Sequence, residues 1–548
     1  MVRVFTYRQR SARLTGPGRC RAGPAGKPAG PSGFEDEDIT MTHRAAGPAA
    51  EPVTCEVVIV GGGPVGMLLA HELALQGVPP LVLEKLPTPS GVSKAGTLHA
   101  RTVESLHRRG LREAVQPRPA RGGQPSVPFH FAAMFDLDFA EVSGEGPVMV
   151  GSPQAYAEQV FAERAAALGA RIVRGAECTG IEQEEDRVTV EVRDTSGTRH
   201  EVTTHWVVAC DGVRSAVRRS AGIPFTGTPA TVSALMGEVR LLDPWNAPTG
   251  WQRTPRGWTL VWLNPAGHSR VCTYDFRGPE QDRQAEVTFE ELRAETERIA
   301  GHAVPMAEPR DLTRFSDAAL QAERYRRGRV LVAGDAAHAH FPMGGQGLNT
   351  GLQDALNLGW KLAAEVQGWA PPGLLETYHT ERHPAGARVL HNVRAQVALM
   401  NPQVLTTSLR ELFREMMHLP QVNRFLSGMI SATDTRYDVG VPGDRLAGAF
   451  APDLPLDNAK GPTSLAALMT DGRPLLLHSA EAAEAAEVLK GWTDRVRVVE
   501  VHAKGPAPLP APALLIRPDG YVLWSDPGGA ERVPTLTAVA EAWFGTPA

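Results

Sequence analysis

The chain has 548 residues, 42% hydrophobic and 21% charged, with 56 basic side chains against 61 acidic ones. That length accommodates two or three domains of ordinary globular composition. The formal charge of −5 leaves no basic field to gather nucleic acid, and no apolar run approaches the roughly 18 residues needed to cross a bilayer.

Five scattered cysteines (Cys20, Cys55, Cys178, Cys210 and Cys272) include no C-x-x-C pair, which points to a reducing, cytoplasmic setting and away from a zinc site. Residues 1–52 are dominated by glycine, proline and charge, so a disordered extension is expected there. The N-terminus lacks the apolar core of a secretory signal. Met41 follows the low-complexity stretch directly, and residues 1–40 are expected to be an upstream extension of the reading frame or a flexible tail.

Order is expected from Cys55. "CEVVIVGGGPVGMLLAHELALQGVPPLVLEK" reads as strand, glycine turn, helix and strand: a β-branched run at 57–60, helical periodicity at 64–75, a stop at Gly77 and a buried strand at 81–83. Such a βαβ unit implies a parallel sheet with a right-handed crossover. Helical patterns follow at 97–109 and 154–168, and strand alternation at 187–192. Between about 225 and 310 lie four of the ten tryptophans (Trp245, Trp251, Trp258 and Trp262) in alternating stretches such as "WTLVWL", which predict an antiparallel sheet. Residues 330–363 return to α/β character, and 374–435 read as helical. After a proline-containing linker near 441, the segments "PLLLH", "VRVVEV" and "ALLIRPDGYVLW" read as strands, with helices between and after them.

Three motifs carry chemistry. In Gly61-Gly62-Gly63-Pro64-Val65-Gly66, Gly61 permits the tight turn, Gly63 admits a pyrophosphate to the backbone and Gly66 lets helix and strand touch. Glu84 ends the second strand 23 positions after Gly61, placed to accept from a ribose diol; an acid there favours adenosine without a 2′-phosphate. FAD and NAD both satisfy that pattern. In "CDGVRSAVRR", Asp211-Gly212 ends a strand and precedes Arg214, Ser215 and Arg218; by itself this reads as a helix cap with a solvated basic face. In "VLVAGDAAHAHFPMGGQGLNTG", Asp335 ends a strand and the glycines precede a helix starting near Leu348, whose positive N-terminal end suits an anionic ligand edge. His338 and His340 beside Asp335 lack a third ligand, so they are read as packing locally, with no metal.

Together and in this order, the motifs resemble the fingerprints of the class A flavoprotein monooxygenases, the para-hydroxybenzoate hydroxylase family. Within it, "GDAAHAHFPMGGQGLNTGLQDALNLGWKLA" and "TYHTERHPAGARVL" are similar to the bacterial aromatic polyketide hydroxylases and the rifampicin monooxygenases. The resemblance covers about residues 54–540 and implies an α/β chain, α+β overall. A Rossmann-like FAD-binding domain is expected at 53–225 and 311–390, with an inserted antiparallel-sheet substrate domain at 226–310. A helical connection would follow at 391–440, then a thioredoxin-like domain at 441–548, where no cysteine occurs to support disulfide chemistry.

The resemblance also implies site roles. Gly61, Gly63, Pro64, Val65 and Gly66 cradle the FAD pyrophosphate, and Glu84 with Lys85 holds the adenosine end. Arg101 lies near the phosphates, Gln154 contacts the flavin chain, and Asp211 positions FAD and NAD(P)H. Asp335 binds the ribityl side, and Gly345, Gly347, Leu348 and Asn349 lie against the ring. Pro342 sits beside flavin and substrate in a backbone role. Independently of the resemblance, the tryptophan-rich sheet suits a flat, aromatic-lined pocket, and Trp258, Trp262 and Met343 are expected as substrate contacts with Pro342. The family often has arginine where "SKAGTLHAR" has Lys94, with Thr97 a further departure; lysine keeps the charge but loses the bidentate fork.

The implied enzyme uses FAD, NADPH or NADH, and O₂. Through a flavin C(4a)-hydroperoxide it would hydroxylate a polycyclic phenol or naphthoquinone, with no side-chain base identified. Baeyer–Villiger insertion on a polyketide ketone and a non-catalytic flavin-binding partner protein are the alternatives. A homodimer is an expectation.

Overall fold

The computed structural model describes residues 42–43, 54–117, 129–139, 142, 145–279, 285–503 and 509–547. Apart from residues 42–43, the expected N-terminal extension and its start at Met41 lie outside them.

The β-branched run beginning the ordered chain forms β1 (Thr54–Val60), and the glycine turn opens α1 (Pro64–Leu75) with Pro64 in its first turn. The chain returns as β2 (Leu81–Glu84). Helices α2 (Ala100–His107) and α3 (Gln154–Ala167) follow, then β3 (Arg171–Arg174) and β4 (Arg199–Ala209). The helix expected from 97 starts at Ala100, because Thr97–His99 is instead a strand paired with Met149–Gly151. Thr42–His43 also departs from the expected disorder. It pairs antiparallel with residues 200–201 of β4, along backbone that extends beyond the start of β1.

Strand β4 lies parallel to β1, with Val207 beside Val58, and β1 lies parallel to β2, with Val58 beside Leu81. β3 continues the sheet beyond β2, and Val330–Val332 lies parallel to β4 on the other side. These strands are fully apolar where covered on both faces, as parallel strands must be. Val57, Val58, Ile59, Val207 and Val208 are 0% exposed. All these parallel strands point the same way, so their carboxyl ends share one edge.

A second, antiparallel sheet contains β5 (Ser233–Leu241), β6 (Gly250–Thr254), β7 (Gly257–Trp262), β8 (Ser269–Asp275) and, beyond α4 (Phe289–Ala300), β9 (Met306–Ser316). Their order is β6–β7–β8–β5–β9. Alternate residues Leu235, Val239, Val261 and Val271 pack with Leu292 of α4, whereas Ala234, Trp258, Leu260 and Tyr274 pack on the opposite side with Phe341. The boundary expected at 310 falls inside β9. Glu308 and Asp311 adopt left-handed φ of 53° and 51° and shift the register, which hides the period-two pattern there.

The strand β10 (Val330–Val332) leads into α5 (Gln346–Val366), α6 (Thr377–Met400), α7 (Val404–Met417) and α8 (Pro420–Ser431). The boundary expected at 390 therefore falls within one helix. Near the C-terminus β11 (Leu475–His478), β12 (Arg497–Glu500), β13 (Ala513–Ile516) and β14 (Val522–Ser525) form a sheet ordered β12–β11–β13–β14, followed by α9 (Arg532–Phe544). Only β11 and β12 are parallel neighbours.

A buried ion network ties this segment to α5 and α6. The Arg517 guanidinium donates to Glu381 at 2.8 Å and to Asp519 at 2.9 Å. Lys361 donates to the same Glu381 at 2.7 Å, and Asn357 donates to both carboxylates. Burial alone would raise the Glu381 carboxyl, but Arg517 and Lys361 outweigh it and hold the pKa at about 2. Its unfolded value is about 4.3. The stability it contributes is therefore complete above pH 4.3 and lost as pH falls through 2. Replacing Arg517 by Met leaves the buried Asp519 without a cation and Glu381 with Lys361 alone, and urea unfolding at neutral pH should show a loss of about 3–5 kcal/mol.

Candidate functional site

The glycine turn lies where β1 meets α1. Gly61 has φ 106°, and a Cβ there would sit 2.3 Å from the Cys210 carbonyl oxygen at the end of β4. A Cβ on Gly66 would fall 2.0 Å from the Gly61 oxygen. Gly63 has nothing within 4 Å of its Cβ direction, so its backbone borders open space. Helix α1 has no side-chain cap, which leaves first-turn N–H groups facing that space. Glu84 is 9% exposed and accepts from Gly62 N at 2.6 Å and Leu86 N at 2.8 Å. Its carboxylate is thus fixed at the strand edge beside the turn. Lys85 and Lys94 are exposed. Gln154 begins α3 half-buried, its N–H donating to the Ala95 carbonyl at 2.9 Å next to Lys94.

Asp211 follows β4 on the same edge. One carboxylate oxygen accepts from Ala216 N at 2.8 Å and caps the short helix Ala216–Ser220. The other, Oδ1, is buried without a partner, and burial raises the carboxyl pKa. Arg218 is not solvated: its guanidinium donates to the Ala336 carbonyl at 2.9 Å, joining this motif to the next one.

In the third motif, Gly334 turns the chain at φ 59° and its N–H donates to Asp354 of α5 at 3.1 Å. The fully buried Asp354 carboxylate also accepts from His338 Nε2 at 2.7 Å and from Arg382 Nε at 2.8 Å. Burial opposes its ionisation, but His338 and Arg382 outweigh that and hold its pKa below the usual carboxylate range. The consecutive left-handed Gly344 and Gly345 (φ 69° and 64°) then deliver the chain into α5, again without a side-chain cap. Between 330 and 366 only Asp335, Pro342 and Gly345 are exposed. The stretch is otherwise buried or half-buried, so these three positions are where it meets solvent.

Asn349 does not present its side chain to the cleft. Its Oδ1 accepts from His99 N at 2.8 Å, and its Nδ2 donates to the carbonyls of Gly345 at 2.9 Å and Thr97 at 3.1 Å. The half-buried Gly347 and Leu348 leave their backbone at the helix start. Two imidazoles flank this turn. His99 bonds the Ile430 carbonyl through Nδ1, and His340 bonds the Phe341 carbonyl through Nδ1. Each leaves Nε2 buried and unpartnered, 3.4 Å from a Cβ position on Gly345 and 3.6 Å from one on Gly347. Burial pushes the His99 pKa down to about 4 and lowers that of His340, so both are neutral acceptors at pH 7. Among the described residues no group of three His, Cys, Asp or Glu is arranged to hold a metal.

An aromatic wall rises from Phe341, beside Pro342. Tyr274 lies 5.4 Å from Phe341 and stacks on Trp251 at 5.2 Å, and Trp251 meets His130 at 5.7 Å. Three buried amides brace the wall against the Gly344–Gly345 turn. Ala132 N donates to Gln396, Gln396 to Asn392, Asn392 to Gln346, and Gln346 to the Met343 carbonyl, at 3.0, 3.0, 2.9 and 3.3 Å. The Ala132–Ala133 turn they hold is left-handed at both residues, which costs energy in non-glycine residues.

Several residues expected at the cofactor or substrate have protein partners. The Arg101 guanidinium is engaged by Glu104 at 2.8 Å, the Thr433 carbonyl at 2.9 Å and the Phe450 ring at 3.7 Å. Trp262 is 55% exposed, with the Arg270 guanidinium 5.9 Å from its ring. It is on the correct face of β7 but beyond the packed region. Trp258 is 3% exposed and donates to the Met400 carbonyl at 2.6 Å, so it supports the wall from behind. Met343 is 1% exposed in the same cluster. A cavity of about 280 Å³ behind the first turn of α5, lined by Arg101, Gln353, Arg382 and Tyr437, does not include the exposed Asp335, Pro342 and Gly345.

The uncapped helix starts, the open lane at Gly63 and the three exposed loop positions are what a dinucleotide with a flat ring at one end requires. Comparison with known proteins agrees. The FAD binding domain family matches residues 54–393, and the aromatic-ring hydroxylase C-terminal family matches 444–547. A rifampicin monooxygenase of Streptomyces venezuelae is 42% identical over 495 residues, 89% of this chain and 98% of that protein. A 12-dehydrotetracycline 5-monooxygenase/anhydrotetracycline 6-monooxygenase of Streptomyces rimosus is 41% identical, covering 90% and 99%. The solved structure of an anhydrotetracycline hydroxylase from Streptomyces rimosus superposes with TM-score 0.83 at 39% identity, covering 90% and 100%. The chain belongs to the class A flavoprotein aromatic hydroxylases and is an FAD-dependent monooxygenase.

Two outcomes follow. Gly66→Val drives a side chain into the Gly61 carbonyl, and the purified protein should lose its 450-nm-region flavin absorbance. Asp354→Leu leaves Arg382 buried without its carboxylate and should lower unfolding stability by about 3–5 kcal/mol, read by urea titration of the FAD-loaded protein.

Proposed function

We propose that the enzyme consumes NAD(P)H and O₂ to hydroxylate a polycyclic phenol or naphthoquinone-type substrate. One observation carries the reading: the exposed Pro342 directly follows Phe341, whose buried ring packs on Tyr274 and, through it, on the half-buried Trp251, so the exposed turn positions adjoin an aromatic cluster suited to a flat apolar ring. FAD bound at this site and reduced by nicotinamide supplies the activation of O₂ that puts one oxygen on the ring.

The chain's own groups bind, orient and exclude water. The backbone N–H groups of Gly63 and Val65 would hold the pyrophosphate, and Glu84 and Asp335 would accept from hydroxyls at the two ends. The positive start of α5 stabilises negative charge on the pyrimidine edge of the cofactor. His340, neutral and with Nε2 unpartnered, lies two residues before Pro342 and is the side-chain acceptor we assign to a phenolic proton. The antiparallel sheet β5–β9 is read as the inserted substrate domain. The order β12–β11–β13–β14 with its closing helix supports a thioredoxin-like reading of the C-terminal segment, without redox cysteines. No described helix is long and apolar enough to cross a membrane, and the described cysteines are all free, which suits a reducing, cytoplasmic setting.

FAD-loaded protein should oxidise NADPH faster when polycyclic phenols from a polyketide panel are added, with a ring-hydroxylated product identified by NMR. No stimulation by any phenol or quinone would overturn the reading, and a ring-expanded ester would redirect it to Baeyer–Villiger insertion. Trp251→Ala should raise KM for the aromatic substrate roughly tenfold, equivalent to ~1.4 kcal/mol, while flavin content stays unchanged.

A further inference from the structure

Helix α7 bears an apolar stripe on the side that should be its solvent face. Its inner side packs through Phe413, stacked on Phe131 at 5.3 Å, and through the fully buried Met417. On the outer side Leu405, Leu409, Leu412 and Met416 are 88%, 54%, 53% and 37% exposed, and Leu419 just past the helix end is 53% exposed. An amphipathic surface helix carries polar residues there. The spacing from Leu405 to Leu419 runs four, three, four, three. That is the seam by which one helix packs against another, knobs into holes. Val404, 85% exposed, and Phe425, 58% exposed, widen the patch.

The size of the patch, its symmetry and its charge select the occupant. These side chains expose on the order of 700 Å² per copy, near the ~800 Å² that each partner gives to a standard interface and above the largest patches usual on monomers. A stripe of this spacing is complementary to itself. With two copies antiparallel about a twofold axis, Leu412 meets its own equivalent, Leu409 meets Met416 and Leu405 meets Leu419. In that register Ser408 lies opposite Glu415, and no like charges oppose each other along the seam. A lipid surface would call for free basic residues beside the stripe. Instead Glu411 and Glu415 are exposed there, whereas Arg414 is held by Asp136 at 2.7 Å and Arg410 by the Ala132 carbonyl at 2.6 Å.

We propose that the outer face of α7 is the seam of a homodimer, occupied by the same helix of a second copy. Because Arg410 of the same helix grips the strained Ala132 turn beside the aromatic wall, the seam would lie one helix away from the substrate side of each active site.

Sedimentation velocity of the FAD-loaded full chain at micromolar concentration tests this. Wild type should sediment as a dimer. The Leu409→Glu/Leu412→Glu variant, with flavin content retained, should dissociate with a Kd raised at least roughly a hundredfold. A monomeric wild type overturns the proposal, as does a dimer that survives the double substitution, or a monomer that floats with phosphatidylglycerol vesicles. Should the double variant fail to fold, Leu412→Cys decides: mild oxidation should give a covalent dimer above the wild-type background, and none would overturn the seam.

Discussion

The Asp354 carboxylate is the point on which the flavin site is built. It is fully buried on α5 and accepts from the Gly334 N–H, from His338 and from Arg382. The first of these shapes the turn that leaves Asp335 exposed. The second fixes the histidine of the same motif, and the third brings α6 against α5. Burying a carboxylate is costly unless it is paired and hydrogen-bonded in this way. About one and two turns further along α5, Asn357 and Lys361 continue the buried polar face to Glu381 and Arg517, so the flavin turn and the C-terminal segment are anchored on one helix.

This anchoring explains why the cleft uses backbone more than side chains. Parallel strands end on one edge, where Gly61, Asp211 and Asp335 follow β1, β4 and β10. Two uncapped helices, α1 and α5, begin there and supply N–H groups and positive field without ionisable chemistry. The imidazoles flanking the Gly345–Gly347 turn, His99 and His340, are kept neutral by burial, so they offer acceptors rather than added charge. The amide chain from Gln396 to Gln346 then makes the aromatic wall and the flavin turn one rigid unit.

What the sequence revealed was whatever is set by local spacing. The Gly61–Gly66 turn, Glu84 at the end of its strand and the Gly344–Gly345 turn each depend on a few neighbouring residues. Period-two alternation placed Trp258 and Trp262 on one face of β7, but could not say how far along that face the core extends; Trp262 lies beyond it. The partners of Arg101, Thr433 and Phe450, could not be read because they are distant in sequence, and Asp354 and His99 went unnoticed for the same reason. The inner limit of β9 was hidden by two left-handed residues, Glu308 and Asp311.

The most direct test of this account is a crystal structure of the protein with FAD bound. The pyrophosphate should lie in the lane at Gly63 with the adenosine ribose at Glu84, and the ring should lie over the Gly345–Gly347 turn, one edge toward Pro342. Ring density in the separate cavity between Arg101 and Tyr437, or a pyrophosphate away from α1, would contradict it.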